Sequence, residues 1–225
     1  MPSPTRTIAR PRHGAIPMKN ARRLFLLASL VVMATHVPRG IAAEWNLGRQ
    51  TYLLVRALGY NDSLRAHAKG EVAIAILFKS GDPRSQADAT NLAAALGDME
   101  GTRIQGMGFQ VRVISYVPKA GIKTALTGPP VNVLYLCDGL ESYLDEITDL
   151  TRRQNILTVA GNEAMVVRGA GLGIISNKQG ESPIVINLRA TRKEGASFGS
   201  DLLRMARVVR DESQINRIVL PQDPR

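Results

Sequence analysis

The chain has 225 residues with 29 basic and 19 acidic side chains, a formal net charge of +10, and its first 43 residues hold seven of the basic ones and no acid. With that segment set aside the remainder is close to neutral and has no basic stripe interleaved with aromatics, which argues against a nucleic-acid binder. One cysteine, Cys137, excludes an intramolecular disulfide, so a stretch of about 180 residues has to be stabilised by packing in a single core.

In chain order, the basic start is followed by the apolar run Leu24 to Ala34 and by Ile41-Ala42-Ala43. The run is short of the roughly 20 residues a membrane-crossing helix needs and has the flanks of an export signal. The expectation is a cleaved leader over 1–43, an α/β domain outside the cytoplasm over 44–217 and a flexible tail over 218–225. Tyr52 to Leu58 predicts a short helix ended by Gly59, and Asn61-Asp62-Ser63 a loop that caps a second turn. Val72 to Phe78 is a continuous apolar run of strand length, as in a strand buried on both faces. Gly81-Asp82-Pro83 breaks it, and Ala89, Leu92, Ala93 and Leu96 then share one helical face up to Gly97. The unit recurs, with a strand over 109–117, a short helix over 119–126, a strand over 131–136, an amphipathic helix carrying Leu140, Tyr143, Leu144, Ile147 and Leu150, and a strand over 156–160. Alternation of this kind implies a single α/β domain, a mostly parallel twisted sheet flanked by helices.

The last third departs from that rhythm. Apolar segments 171–176 and 183–188, separated by Asn177-Lys-Gln-Gly-Glu-Ser182, predict an antiparallel C-terminal hairpin at the sheet edge. Ser200 is expected to cap a final helix that turns Leu202, Leu203, Ala206 and Val209 inward, with Arg204, Arg207 and Arg210 on a solvated face.

Few residues are available for catalysis. Beyond the leader there is one histidine, His67, and one cysteine, so neither a Cys/His pair, nor a serine triad, nor a transition-metal site has its usual supply of ligands. No cofactor or metal is expected. Asp145, Glu146 and Asp149 read as the solvated face of a helix, with Asp149 placed to pair with Arg152 or Arg153. Gly169-Ala-Gly171-Leu-Gly173 precedes a strand, whereas a dinucleotide-binding loop follows one. Open α/β sheets hold ligands outside the carboxyl ends of their strands, which makes Asp82, Tyr116, Asp138 and Asn162 candidate ligand-binding residues. Ordinary turn chemistry is the competing explanation for them. An enzyme would need a carboxylate pair such as Asp82 with Asp138.

The segments Val131-Asn-Val-Leu-Tyr-Leu136, Ile156-Leu-Thr-Val-Ala160, Gly169-Ala-Gly-Leu-Gly-Ile-Ile175, Ile184-Val-Ile-Asn-Leu188 and Ser200-Asp-Leu-Leu203 follow one another in this order. Together they resemble the YfiR family of small periplasmic proteins, the DUF4154-type domain, over roughly Thr51 to Val209. The resemblance implies a non-enzymatic regulator that binds and represses an inner-membrane signalling protein, a diguanylate cyclase or sensor kinase, and so influences cyclic-di-GMP and biofilm formation. Tyr52 and Leu53 are then candidates for the partner surface, and a homodimer is admitted. The competing function is a periplasmic small-ligand sensor or solute-binding module. The chain departs from the family in two places. Redox-sensitive members carry paired cysteines where this chain has Cys137 alone, and Tyr52-Leu-Leu-Val-Arg-Ala-Leu58 stands where many members have an aromatic-rich segment and a Trp-Pro.

Overall fold

The computed structural model describes residues 40–99, 101–175 and 182–209. Most of the expected leader, the turn of the expected hairpin up to residue 181, Arg210 and the tail over 218–225 lie outside the described residues. Helix α1 (Gly40–Leu58) runs across the expected leader boundary at Ala43 and turns Leu54, Val55, Ala57 and Leu58 inward before Gly59 ends it. Helix α2 (Leu64–Ala68) follows, with Ser63 at its N-cap position making no side-chain capping bond.

Strand β1 (Glu71–Lys79) is the apolar run read from the sequence, extended by one residue at each end. Helix α3 (Pro83–Gly97) starts where it does for two reasons. Pro83 suits a first helical turn, and the Asp82 carboxylate accepts from the backbone N–H groups of Arg84 and Ser85, both at 3.1 Å. Strand β2 (Gly108–Tyr116), helix α4 (Gly121–Ala125), strand β3 (Val133–Leu136), a 3₁₀ turn (Glu141–Tyr143) with helix α5 (Leu144–Gln154), and strand β4 (Leu157–Ala160) complete the regular part. Helix α6 (Glu163–Arg168), strand β5 (Leu172–Ile174), strand β6 (Ile184–Asn187), helix α7 (Leu188–Lys193), helix α8 (Ser200–Met205) and strand β7 (Arg207–Val209) finish the described chain.

The seven strands form one sheet in the order β2-β1-β3-β4-β5-β6-β7, parallel throughout except for β5 against β6. Side-chain alternation divides the core into two layers. Ile74, Ile76, Val133, Tyr135, Val159 and Ile174 face α1, α2 and α3. Ala75, Leu77, Leu134, Leu136 and Ala160 face α4, α5 and α6. Both faces of the central strands are covered, which is why they read as unbroken apolar runs rather than alternating ones.

Four local expectations are corrected. Ser200 is the first helical residue, and the N-cap is Gly199, with no side-chain capping bond. The final helix ends at Met205, and Val209 is buried as part of β7. The β-branched pair Val208-Val209 completes a ladder on β6, burying there what a longer helix would have buried elsewhere. As a result the antiparallel pair is not the sheet edge, because β7 lies outside β6. Arg207 is a strand residue whose guanidinium pairs with Glu163, not part of a solvated helical face. Helices α6 and α7, six residues each, are too short to show a period, and what marks their starts is the capping asparagines Asn162 and Asn187.

Candidate functional site

The order β2-β1-β3-β4 reverses direction between β1 and β3, so their carboxyl ends flank the place where an open α/β sheet offers a crevice. The loops there place Asp82 and Asp138 near each other and near Asp88 of α3. The Asp88 carboxyl is pushed up by partial burial and then by the negative charges of Asp138 and Asp82, with Arg84 opposing. Asp82 also caps α3, so one carboxylate serves both helix and crevice.

Loop backbone and side chains meet closely at these strand ends. Gly139 sits at φ +90°, and a Cβ built on it would lie 3.0 Å from Asp82 Oδ2 and 3.6 Å from Lys79 Cδ. A Cβ on Gly161 would lie 2.7 Å from the Tyr135 hydroxyl and 3.2 Å from Gln50 Nε2. Gln50 reaches over from α1 to donate to Tyr135 Oη at 2.8 Å and to the Ile174 carbonyl at 3.2 Å. Two loop backbones are thus pressed against side chains with no room for a methyl group.

Asn162 is occupied with local structure, its Oδ1 accepting from Ala164 N–H at 2.9 Å and its Nδ2 donating to Glu141 at 3.4 Å. Tyr116 is not brought to the crevice. Its ring is fully buried in the other layer, tilted against Tyr143 at 5.0 Å, and its hydroxyl donates to Glu146 at 2.8 Å. Glu146 also accepts from Ile122 N–H at 2.8 Å, so it ties α4 and β2 to α5 instead of lying on a purely solvated face. Asp149 does pair with Arg153, at 3.9 Å in an exposed i,i+4 pair. Of the two partner-surface candidates, Tyr52 is 53% exposed and Leu53 is half-buried against the α1 layer.

Gln50, Tyr135 and Asp88 converge on the crevice without having been singled out from the sequence. Each lies within a helix or strand, so only the fold brings them to the strand ends.

Cys137 directly follows β3 and is 3% exposed. Burial, followed by the charges of Asp88 and Asp138, pushes its thiol up to about 12. Because the thiolate is the reactive form, Cys137 should react with an aromatic disulfide reagent at pH 8 only after denaturant is added. Titration of native and unfolded protein measures this directly, and stoichiometric reaction in the native state would contradict it.

Residues 71–207 match the protein-family model described as YfiR/HmsC-like, DUF4154. No curated protein matches the sequence. Among solved structures, a conserved domain protein from Vibrio cholerae aligns with a TM-score of 0.52 at 12% identity, covering 73% of this chain and 60% of that one. A ligand-free, open substrate-binding protein with adhesive properties from Clostridium difficile aligns at 0.48 and 14% identity, covering 66% and 58%. An ABC domain in complex with L-Trp from Streptococcus pneumoniae aligns at 0.45 and 13%, covering 68% and 60%. The chain therefore spans three fifths or less of the length of these structures, and at such identities the first is a likeness of fold alone. The family match extends from the first residue of β1 into β7, through every strand of the sheet, and the chain belongs to the YfiR/HmsC-like family.

Proposed function

We propose that the protein is a non-enzymatic periplasmic regulator that docks on an inner-membrane signalling protein and represses it, the partner being a diguanylate cyclase. The observation that carries this reading is the family match, and close packing at the strand ends is in keeping with it. At the strand ends Asp82 lies close to Gly139, and Tyr135 with Gln50 lies close to Gly161. That favours recognition through the outer surface over enclosure of a small molecule. Among the described residues no helix is long and apolar enough to cross a membrane, in keeping with a regulator that meets its target at the membrane without being embedded in it. Tyr52, exposed on α1, is a natural part of such a surface, since aromatic residues with an apolar body and a polar tip are enriched where proteins meet.

The test is affinity capture of the tagged protein from detergent-solubilised envelopes, followed by mass spectrometry. A membrane cyclase should be recovered, its yield should fall with Tyr52→Glu, and deletion of the gene should raise cyclic-di-GMP. Recovery of no membrane signalling protein, together with thermal stabilisation by a small molecule, would favour the ligand sensor.

A further inference from the structure

Helix α7 ends on Glu194, and from there to the start of α8 the chain, residues 194–199, crosses to the loop that joins α1 to α2. Ser197 N–H donates to Asn61 Oδ1 at 3.1 Å and to Ser63 Oγ at 3.0 Å, and the Ser197 carbonyl accepts from Asp62 N–H at 2.8 Å. Ser63 Oγ donates to the Gly195 carbonyl at 2.7 Å, and Gly199 N–H reaches the Tyr60 carbonyl at 3.3 Å. Ser63 thus serves the crossing instead of capping α2. At the near end of the same segment the Glu194 carboxyl is 1% exposed and sits on uncharged partners, Thr158 of β4 and Thr151 of α5. The charged group that acts on it is Arg152 of α5, whose guanidinium donates to the Gly169 carbonyl at 3.3 Å and, among the described residues, forms no ion pair with Glu194. On its own helix Arg192 and Lys193 are exposed. A carboxylate enclosed in this way, without a counter-cation, is strongly unfavourable. The relief that breaks least is local, since bonds to a surface loop give way before a seven-stranded sheet does.

We propose that residues 194–199 are a pH-sensitive strap: loss of the Glu194 proton lifts the segment from Thr158 and frees the joint between α1 and α2. Closed, the strap holds the carboxyl in its protonated form. Open, the carboxyl meets water and ionises as an ordinary glutamate does. Burial keeps the closed carboxyl at about 8 against an ordinary 4.5, so the open fraction grows about tenfold per pH unit between those values and levels off above the higher one. Opening also uncovers Ala196 and Phe198, which are 5% and 8% exposed when the strap is closed, and their burial keeps it shut at low pH. Helix α1 ends at this joint, and with Tyr52 as a docking residue the strap gives the docking surface a pH input. That last step rests on the docking proposal above, whereas the strap itself does not.

Amide hydrogen exchange on the full-length chain at pH 5.5, 6.5 and 7.5, corrected for the intrinsic pH dependence of exchange, reads the strap without any partner. The Ser197, Gly199 and Asp62 amides should lose protection by about tenfold per pH unit relative to the same amides in Glu194→Gln. They should also exchange through a more frequent opening than Ile76, in the middle of the sheet. Dilute urea should speed exchange at Ile76 and leave the strap amides unchanged, which is the mark of a local opening. Should the glutamine variant not fold, the slope in the native chain over the same pH range decides alone. Strap amides whose protection is flat with pH, or which match Ile76 at every pH and urea concentration, would overturn the proposal. If the strap opens as expected while capture of the membrane partner is equal at pH 5.5 and 7.5, the strap stands and its pH input to docking falls.

Discussion

Replacing Glu194 with glutamine should abolish a pH dependence of stability that the native protein carries, and replacing it with alanine should cost about 2–4 kcal/mol at acidic pH and less as pH rises. Glu194 caps the end of α7 and is 1% exposed, with its carboxyl inside the core. One oxygen accepts from Thr158 N–H at 3.0 Å, and the other lies 2.7 Å from Thr158 Oγ1 and 3.4 Å from Thr151 Oγ1. Burial pushes this carboxyl up to about 8 from its ordinary 4.5, against the lowering effect of the Thr158 bonds, Arg152 and the Thr151 bond.

The folded state therefore keeps a proton that the unfolded chain releases. The associated stability is fully present below about 4.5 and is lost as pH rises through about 8, with a slope of at most ~1.4 kcal/mol per pH unit. Glutamine imitates the neutral acid. Its oxygen accepts from Thr158 N–H while its NH₂ faces the two threonine hydroxyls. Urea unfolding at pH 5.5, 7 and 8.5 should show the native protein losing stability relative to Glu194→Gln as pH rises. A constant difference between the two would mean that the carboxyl is ionised in the fold throughout. Alanine leaves Thr158 N–H buried without its acceptor and opens a cavity, and its penalty shrinks as pH rises because the variant lacks the titrating carboxyl.

Gly171→Ala should destabilise the protein by about 2–3 kcal/mol, and much of that loss should vanish when Glu194 is alanine. A Cβ on Gly171 would lie 2.5 Å from Glu194 Oε2, 3.0 Å from Leu157 Cδ1 and 3.2 Å from Thr191 Cγ2, all within the core. The methyl has to expel the Glu194 carboxyl from its seat on Thr158, whose hydroxyl also accepts from Gly171 N–H at 2.8 Å. In the double variant the methyl enters space the carboxylate has left. A double-mutant cycle by urea unfolding should give a coupling above about 1 kcal/mol. Additive losses would mean that the strain falls on Leu157 and Thr191 instead.

Glu194 and Gly171 also mark where sequence reading stopped. The glycines at 169–173 precede a strand, and at Gly171 the constraint is close approach to the core side chains. The group it must avoid, however, lies 23 residues away and is brought there only by the packing of α7. Nothing local distinguishes Glu194 from the charged residues beside it, since Lys193 is exposed and Glu194 is enclosed.

The candidate crevice divides along similar lines. That Asp82, Asp138 and Asn162 stand at strand-to-helix junctions was legible, because turns and N-caps draw on these residue types whatever the global fold. Tyr116 ends a strand just as legibly, but the side of the sheet its ring takes depends on register against β1, and that sent it to the α5 layer and Glu146. Gln50, thirty residues before the crevice loops begin, reaches Tyr135 only because α1 packs across the sheet.

The sequence by itself determined the α/β class, the parallel core strands, the helices long enough to show a period and the kinship with the YfiR/HmsC-like family. Those properties reside in continuous apolar runs and local capping, which the chain carries wherever it goes. Tertiary structure alone decided that Val208 and Val209 complete a seventh strand, that Gln50 meets Tyr135 at the strand ends, and that Glu194 is buried. Each of these depends on which distant segment arrives alongside, and the free energy that chooses among the arrangements is shared over the whole sheet.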